Sequence, residues 1–218
     1  ARDTVLDRVV AVKVINQPVT DDPQYLEALQ REARLASSLD HPNIMPVKNA
    51  DFIDGVLTVA YPMGERSLDD RLAHRISVKN ALDYGEQLLE ALAYAHAARV
   101  IHCDVKPDNL ILFADGALRL GDFGLAKHSV RTLQASSSGT LGYIAPEQAM
   151  GRPSARSDVF SAGLILYRML AGSLPDWPYD WPPPGIQRVR RCAPDMIPCL
   201  ERALKTDTRR RYRDAAHM

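Results

Sequence analysis

Four polar residues in the middle of the chain have types that could together carry out one reaction. Asp104, Lys106 and Asn109 belong to the run His102–Asn109, and Asp122 follows a short distance downstream. Carboxylate and amide oxygens are ligands that Mg²⁺ prefers, and a carboxylate can also orient a hydroxyl nucleophile. A lysine supplies positive charge for phosphate oxygens. Because phosphoryl transfer needs all of these groups at one point, the four residues suit that reaction.

The residues between the two polar clusters predict the element that brings them together. Residues 110–113 and 118–120 are short apolar runs, and an Asp-Gly pair lies between them. Two such runs around a tight turn indicate a β-hairpin. We therefore expect the run His102–Asn109 and Asp122 to face one point from the two ends of a hairpin.

The front of the chain has the pattern of strands with one helix. Residues 9–15 form a β-branched run that predicts a strand, and Lys13 lies inside it. A helix is expected to begin at Asp22, which precedes a proline, and to end before His41, which also precedes a proline. Residues 56–61 predict a further strand.

The remainder of the chain has mainly helical patterns. Ser77 is expected to cap a long helix with one apolar face. Ser157 is expected to open another helix, with Gly172 as its C-terminal cap. Residues 175–184, rich in proline and tryptophan, predict a surface loop, and later helices are expected from about Ala193. A strand-rich front and a helical remainder indicate an α+β fold with two lobes.

Composition narrows the class of protein. The 218 residues are 46% hydrophobic and 25% charged, as in ordinary globular proteins. A formal net charge of zero gives no reason to expect nucleic acid or an anionic membrane as a partner. The three scattered cysteines match neither a disulfide framework nor a zinc site, so a reducing, cytoplasmic setting is expected. No apolar run is long enough for a membrane segment.

As a set, the motifs are similar in order and spacing to those of eukaryotic-like, Hanks-type serine/threonine protein kinases. The matching positions are Val10–Lys13, His102–Asn109 as catalytic loop, Asp122–Gly124 as metal-binding triplet, Gly139–Glu147 as substrate-docking segment, Asp158 and Arg211. The resemblance implies an α+β, protein-kinase-like fold of two lobes. A truncated, small β-rich N-lobe would span residues 1–63. A mainly helical C-lobe with the catalytic loop and activation segment would span residues 64–218.

The resemblance also implies roles for the polar residues. Asp104 would orient the hydroxyl of the substrate, and Lys106 would neutralise the transferred phosphoryl group. Asn109 and Asp122 would hold Mg²⁺, with Mn²⁺ as the other candidate metal.

The same resemblance implies how ATP would be held. Lys13 would bind the α- and β-phosphates. Glu32 would position Lys13, although Glu27 lies on the same predicted helix. 

Residues from both lobes are expected to form the adenine pocket. Ala11 and Ile111 would sandwich the ring, and Tyr61 to Met63 would form the hinge between the lobes. Counting back from Ser67-Leu68 places Ala60 at the back of the pocket, which an alanine would leave unusually open.

The sequence departs from the family pattern in two places. No Gly-x-Gly-x-x-Gly motif precedes Lys13, and both a fragment and a natural lack of this loop are open explanations. An uncovered strand edge there predicts self-association through the N-lobe. Cys103 stands where many kinases have an arginine that pairs with a phosphate, so strict phosphate-dependent ordering is not expected. Autophosphorylation with a modest effect on activity is expected at Thr132 and Ser136–Ser138.

The function expected from these residues is ATP-dependent phosphorylation of serine or threonine hydroxyls on proteins. A pseudokinase or nucleotide-binding scaffold is the first alternative, motivated by the missing glycine-rich loop. A kinase for small molecules is the second. The intact Lys13, Asp104, Asn109 and Asp122 argue against the first, and the segment Gly139–Glu147 argues against the second.

Overall fold

The structure is a computed structural model, and the part of the chain that it describes falls into several ranges. These are residues 1–15, 27, 30, 34–53, 56–123, 140–175 and 179–218.

The first sheet has four antiparallel strands in the order β1-β2-β4-β3. The strands are β1 (Arg2–Asp3), β2 (Arg8–Ile15), β3 (Asn49–Ile53) and β4 (Val56–Pro62). The valine-rich run of β2 pairs with β4 so that Ala11 lies opposite Tyr61 and Lys13 opposite Val59. Because opposed residues share a face of an antiparallel sheet, Lys13 and Val59 lie on one side. Strand β3 was not predicted from the sequence.

Residues 34–38 form the described end of helix α1. This helix ends before His41, as predicted, because proline at the next position disfavours helical backbone. The predicted start of the helix at Asp22 lies outside the described residues.

The second sheet has three strands, β5 (Arg66–Ser67), β6 (Leu110–Leu112) and β7 (Leu118–Leu120). Strands β6 and β7 are the predicted hairpin, with Leu110 opposite Leu120. Helix α2 (Leu68–Leu72) directly follows β5. Its capping box, in which Ser67 and Asp70 bond to each other's backbone N–H groups, explains why this short helix begins where it does.

Two long helices form the centre of the helical lobe. Helix α3 (Val78–Ala97) is capped by the Ser77 side chain, as predicted. Helix α5 (Ala155–Ala171) is buried along nearly its whole length and ends at Gly172 with a φ of 87°. Its N-cap is Ser154 rather than Ser157, because Ser157 occupies the third helical position and completes a capping box.

Three shorter helices surround this centre: α4 (Pro146–Ala149), α6 (Ile186–Cys192) and α7 (Ile197–Ala203). The helix expected from about Ala193 corresponds to α7, which begins at Ile197, whereas α6 was not predicted from the sequence. Gly185, with a φ of 84°, ends the preceding loop and lets the chain enter the helix directly. None of the helices in the described ranges combines the length and apolar character that a membrane span requires.

The hydrophobic core lies almost entirely in the helical part. A large cluster joins α3, α5 and the β6–β7 hairpin, with Leu92, Leu110 and Leu164 fully buried. The first sheet has its own small cluster around Leu57 and Val59. The described fold is therefore a small sheet lobe beside a larger helical lobe.

Candidate active site

Three residues of the predicted catalytic loop, which follows α3 in the chain, form a cluster of hydrogen bonds and an ion pair. Lys106 Nζ lies 3.0 Å from the Oδ2 atom of Asp104. Asn109 donates from Nδ2 to the same carboxylate at 2.9 Å and to the Asp104 carbonyl at 2.8 Å. These three side chains are therefore brought together, as the sequence predicted, and the Asp104 carboxylate is oriented by two neighbours.

The β6–β7 hairpin joins this loop to Asp122. The N–H of Gly121 donates to the carbonyl of Asn109 at 2.8 Å, so the residues before and after the hairpin are adjacent. Asp122 has a φ of 64°, a left-handed conformation that costs free energy for a non-glycine residue. With this backbone conformation, Asp122 lies just after β7 and lines the cleft between the lobes. The two polar clusters face one point, as expected.

Lys13 reaches Asp122 from the opposite lobe. Its Nζ atom lies 2.7 Å from Oδ2 of Asp122, and the two side chains are 41% and 28% exposed. Glu32, the predicted partner of Lys13, lies outside the described residues. Within the described ranges, Asp122 is the carboxylate that pairs with Lys13.

A cleft of about 400 Å³ separates the two lobes and ends at this ion pair. A cleft of this size is sufficient for a nucleotide. Its lining includes the predicted site residues Ala11, Lys13, Tyr61, Met63, Asn109, Ile111 and Asp122.

Tyr61, and not Ala60, faces this cleft from β4. Alternate residues of a strand point to opposite faces, and Tyr61 shares the face of buried Leu57 and Val59. Ala60 lies on the other face and is absent from the described lining of the cleft. The placement of Ala60 at an open back of the pocket is therefore wrong in this structure, because the count from Ser67 slipped by one residue. Tyr61 lines the cleft from this strand instead.

The Tyr61 phenol is also electrostatically coupled to the site. Burial, with a smaller contribution from the nearby Asp122 carboxylate, raises the pKa of Tyr61 above its ordinary value. The phenol therefore stays neutral, and its O–H can act as a hydrogen-bond donor inside the cleft.

The catalytic loop is braced from below by one buried carboxylate. Asp158, which is 1% exposed, accepts hydrogen bonds from the backbone N–H groups of His102 at 2.8 Å and Cys103 at 2.9 Å. His96 Nε2 lies 2.9 Å from the same carboxylate. Cys103 has a φ of 66°, so this brace holds the residue before Asp104 in a strained conformation.

Further polar contacts secure the segment that follows residue 139. Gln148 donates from its side-chain amide to the carbonyl of Cys103. Arg211 forms a two-pronged ion pair with Glu147, at 2.7 and 2.9 Å, and the Arg211 side chain is fully buried. Burial opposes the charge of Glu147, but hydrogen bonds from Arg211 and Ser157 outweigh it and hold the pKa of its carboxyl below the ordinary value.

Sequence reasoning missed three of these contributors: Tyr61 as a cleft-lining residue in place of Ala60, His96 and Gln148. The sequence signal for Tyr61 was its strand alternation with Leu57 and Val59, which the count from Ser67 overrode. His96 and Gln148 carry no motif of their own, and their partners lie far away in the sequence. The activation-segment hydroxyls, Thr132 and Ser136–Ser138, lie outside the described residues.

The residues of the cleft fit a divalent metal ion held partly by phosphate. In the described ranges no group of three or more His, Cys, Asp or Glu side chains could hold a metal by itself. Mg²⁺ in phosphoryl-transfer sites is typically bound by one or two carboxylates together with substrate phosphates. Asp122 supplies a carboxylate, and the carbonyl oxygen of the Asn109 amide can serve as a second ligand, since its nitrogen bonds to Asp104.

The similarities to known proteins agree with this geometry. The family model described as protein kinase domain matches residues 1–181. The serine/threonine-protein kinase PrkC of Bacillus subtilis is 33% identical over 182 residues, covering 80% of this chain and 28% of the relative. The serine/threonine-protein kinase PknA of Mycobacterium tuberculosis is 37% identical over 187 residues, covering 80% of this chain and 43% of the relative. The chain thus spans less than half the length of these relatives.

A solved structure shows the same architecture. The kinase domain of Mycobacterium tuberculosis PknI matches with a TM-score of 0.72 and 26% identity, over 95% of this chain and 81% of that domain. This match confirms the predicted two-lobed, kinase-like α+β fold. From the matched residues, the shared fold and the arrangement around the cleft, the chain belongs to the protein kinase domain family.

Proposed function

We propose that this chain transfers the γ-phosphoryl group of ATP to serine or threonine hydroxyls of protein substrates. The observation that carries the proposal is that Lys13, Asn109 and Asp122 line one cleft between the lobes, and that Asn109 bonds to Asp104, which pairs with Lys106. Family membership implies ATP and a divalent metal ion in general, and we propose Mg²⁺, with Mn²⁺ as a substitute. Bound between Asn109 and Asp122, the metal ion would offset the charge of the phosphates.

Asp104 and Lys106 have different roles in the reaction. Asp104 accepts the proton of the attacking hydroxyl as the new O–P bond forms. Lys106 lies 3.0 Å from Asp104 and contacts the γ-phosphoryl oxygens, where it stabilises negative charge during transfer. The bond from the γ-phosphorus to the bridging oxygen breaks, and ADP leaves with the negative charge.

Lys13 holds the α- and β-phosphates in this scheme. In the structure its ammonium group is paired with Asp122, which is itself the proposed metal ligand. Binding of ATP with its metal ion therefore has to separate this pair, after which Lys13 turns to the phosphates. A half-exposed ion pair is weak enough to be exchanged in this way. Glu32 is retained as the proposed partner of Lys13 in the ATP-bound form.

The adenine ring would lie between Ala11 and Ile111, beside Tyr61 and Met63. We place the boundary of the lobes after residue 63. In support, β4 ends at Pro62 in the first sheet, whereas β5 at Arg66–Ser67 pairs with β6 of the second sheet. Self-association through the N-lobe, the absence of a nucleic-acid partner and a cytoplasmic setting stay predictions from the sequence.

The experiment offers the chain radiolabelled ATP, Mg²⁺, a mixed protein substrate and, in a parallel reaction, small alcohols. We expect label on serine and threonine of the protein and none on the alcohols, and no label with the Asp122→Ala variant. Label on the alcohols would instead identify a small-molecule kinase. ATP binding without any transfer by the parent would identify a nucleotide-binding scaffold.

A further inference from the structure

A second cavity, of about 370 Å³, lies where α2, α5 and α6 meet. Its lining is rich in basic side chains and includes His74, Arg75, Arg168 and Arg188. No aspartate or glutamate is among the residues that line it in the described part of the chain. A basic concavity of this kind attracts anionic groups, although the chain as a whole has no net charge.

Gly172 leaves space for the side chain of Arg188 beside the cavity. Gly172 has a φ of 87° at the end of α5, and a Cβ there would lie 2.9 Å from Nη1 of Arg188. Gly172 therefore allows the guanidinium group to pack against the end of α5. The C-terminal end of α5 carries a partial negative charge, which favours a cation such as Arg188 beside it.

Arg168 links the basic cavity to Tyr143. It donates from Nη1 to the phenol oxygen of Tyr143 at 2.6 Å and to Asp69 at 2.8 Å. Tyr143 in turn lines a small pocket together with Asp104 and Lys106. Tyr143 therefore bonds to a residue of the basic cavity, Arg168, and lines the same small pocket as Asp104.

The charge of Arg168 is already balanced by Asp69, but Arg75 and Arg188 add positive charge beyond this pair. Each residue of an extended polypeptide spans about 3.3–3.6 Å, so the position of an acidic residue in the substrate sets its distance from the phosphorylated hydroxyl. The guanidinium forks of two arginines match a carboxylate group.

We propose that this cavity, lined by His74, Arg75, Arg168 and Arg188, binds an acidic side chain of the protein substrate and so selects substrates with Asp or Glu near the phosphorylated residue. This inference rests on the proposed function, of which it specifies the substrate class. The carboxylate that binds in the cavity belongs to the same polypeptide that carries the phosphorylated hydroxyl.

The test uses peptides with one serine and a single Glu, moved in turn through about five positions on either side. A matched set carries Gln instead. The value of kcat/KM is measured for each pair, and binding of fluorescein-labelled peptides is measured by anisotropy, which needs no phosphoryl transfer. The proteins are the parent, the double variant Arg75→Gln/Arg188→Gln and, as control, Arg190→Gln, whose exposed side chain lies on α6 away from the cavity.

We expect one or two Glu positions to raise kcat/KM and affinity roughly fivefold over Gln in the parent and in Arg190→Gln. The preference should vanish in the double variant and decrease at high salt. Equal values for Glu and Gln at every position, or an equal loss of preference in Arg190→Gln, would overturn the inference. If no peptide is phosphorylated, the proposed function fails, and the anisotropy comparison alone decides about the cavity.

Discussion

The two walls of the cleft are built in different ways. The wall from the helical lobe carries Asn109, which bonds to Asp104, on a loop that the buried carboxylate of Asp158 holds by its backbone, next to the large core of α3 and α5. The wall from the sheet lobe carries Lys13 on a sheet whose own buried cluster is centred on Leu57 and Val59.

This difference separates two requirements of phosphoryl transfer. The groups that handle the hydroxyl and the metal need a fixed geometry, because small displacements of reacting groups are costly in rate. The wall that covers the nucleotide has to open and close, which favours a region of lower local stability. The half-exposed pair of Lys13 with Asp122 is the contact that joins the two walls.

The largest expected effect on stability comes from breaking the buried ion pair between Arg211 and Glu147 in the helical lobe. Arg211→Met leaves the Glu147 carboxylate without its two-pronged partner, and we expect the free energy of unfolding to decrease by about 3–5 kcal/mol. Arg210→Met is the matched control, because the side chain of Arg210 is 75% exposed and should contribute little. Chemical denaturation measures both. A similar loss for the two variants would contradict the account of a buried brace.

The next prediction compares the loss of unfolding free energy when a leucine is shortened in each of the two cores. Leu164→Ala and Leu57→Ala remove equal side chains that are 0% and 4% exposed. We expect a cost of about 2–5 kcal/mol for Leu164→Ala, with a value near the lower end for Leu57→Ala, because the thin sheet can collapse around the smaller residue.

Amide hydrogen exchange sharpens this comparison. Leu57→Ala should accelerate exchange in β3 and β4 while leaving α5 protected, whereas Leu164→Ala should accelerate exchange in both lobes. Equal acceleration of α5 by the two variants would show that the lobes unfold as one unit.

A smaller effect is expected at the back of the cleft. Tyr61→Gly removes the phenol that lines the cleft, so the variant should use ATP analogues with bulky N6 substituents at least about tenfold better than the parent does. Ala60→Gly is the matched control, because Ala60 lies on the opposite face of β4. Measuring kcat/KM for both nucleotides decides the matter. An effect of Ala60→Gly without one of Tyr61→Gly would restore the sequence-based placement.

The smallest expected effect is a pH dependence of the stability that the Glu147–Arg211 ion pair contributes. The pKa of Glu147 is lowered in the folded state, so its stabilising contribution is present above the unfolded-state pKa, about 4.3, and is lost as the pH falls through the folded-state value. The difference in unfolding free energy between the parent and Glu147→Gln should therefore be constant at neutral pH and shrink below about pH 4. A difference that grows in acid would contradict the direction of the pKa shift.

Much of this arrangement could be predicted from the sequence because it depends on local patterns. The β-branched run around Lys13, the hairpin before Asp122 and the Ser77 cap each follow from residues that are close together in the chain.

The face of β4 to which Tyr61 belongs could also be read locally, from its alternation with Leu57 and Val59, but the count from Ser67 was off by one residue, and such a slip moves a side chain to the other face. The position of Tyr61 opposite Ala11 depends on the register between β2 and β4, which pairs residues that are distant in the sequence.

The brace of the catalytic loop was predictable only in part. Asp158 and Arg211 were identified through a family resemblance, whereas the contacts of His96 and Gln148 depend on how α3, α4 and α5 pack. Such long-range pairings leave no periodic signal in a single sequence, and the basic cavity beside Arg168 is of the same kind.

The most direct test of the central claim is phosphoryl transfer by the parent and by Asp104→Asn, with ATP binding measured for both. We expect labelled phosphoserine and phosphothreonine from the parent, a loss of about 10²–10⁴-fold in kcat for Asp104→Asn, and unchanged ATP affinity. Asp115→Asn, at the exposed turn of the hairpin, serves as control and should keep full activity. Equal rates for the parent and Asp104→Asn, or no transfer by a parent that binds ATP, would contradict the assignment of this cleft as a kinase active site.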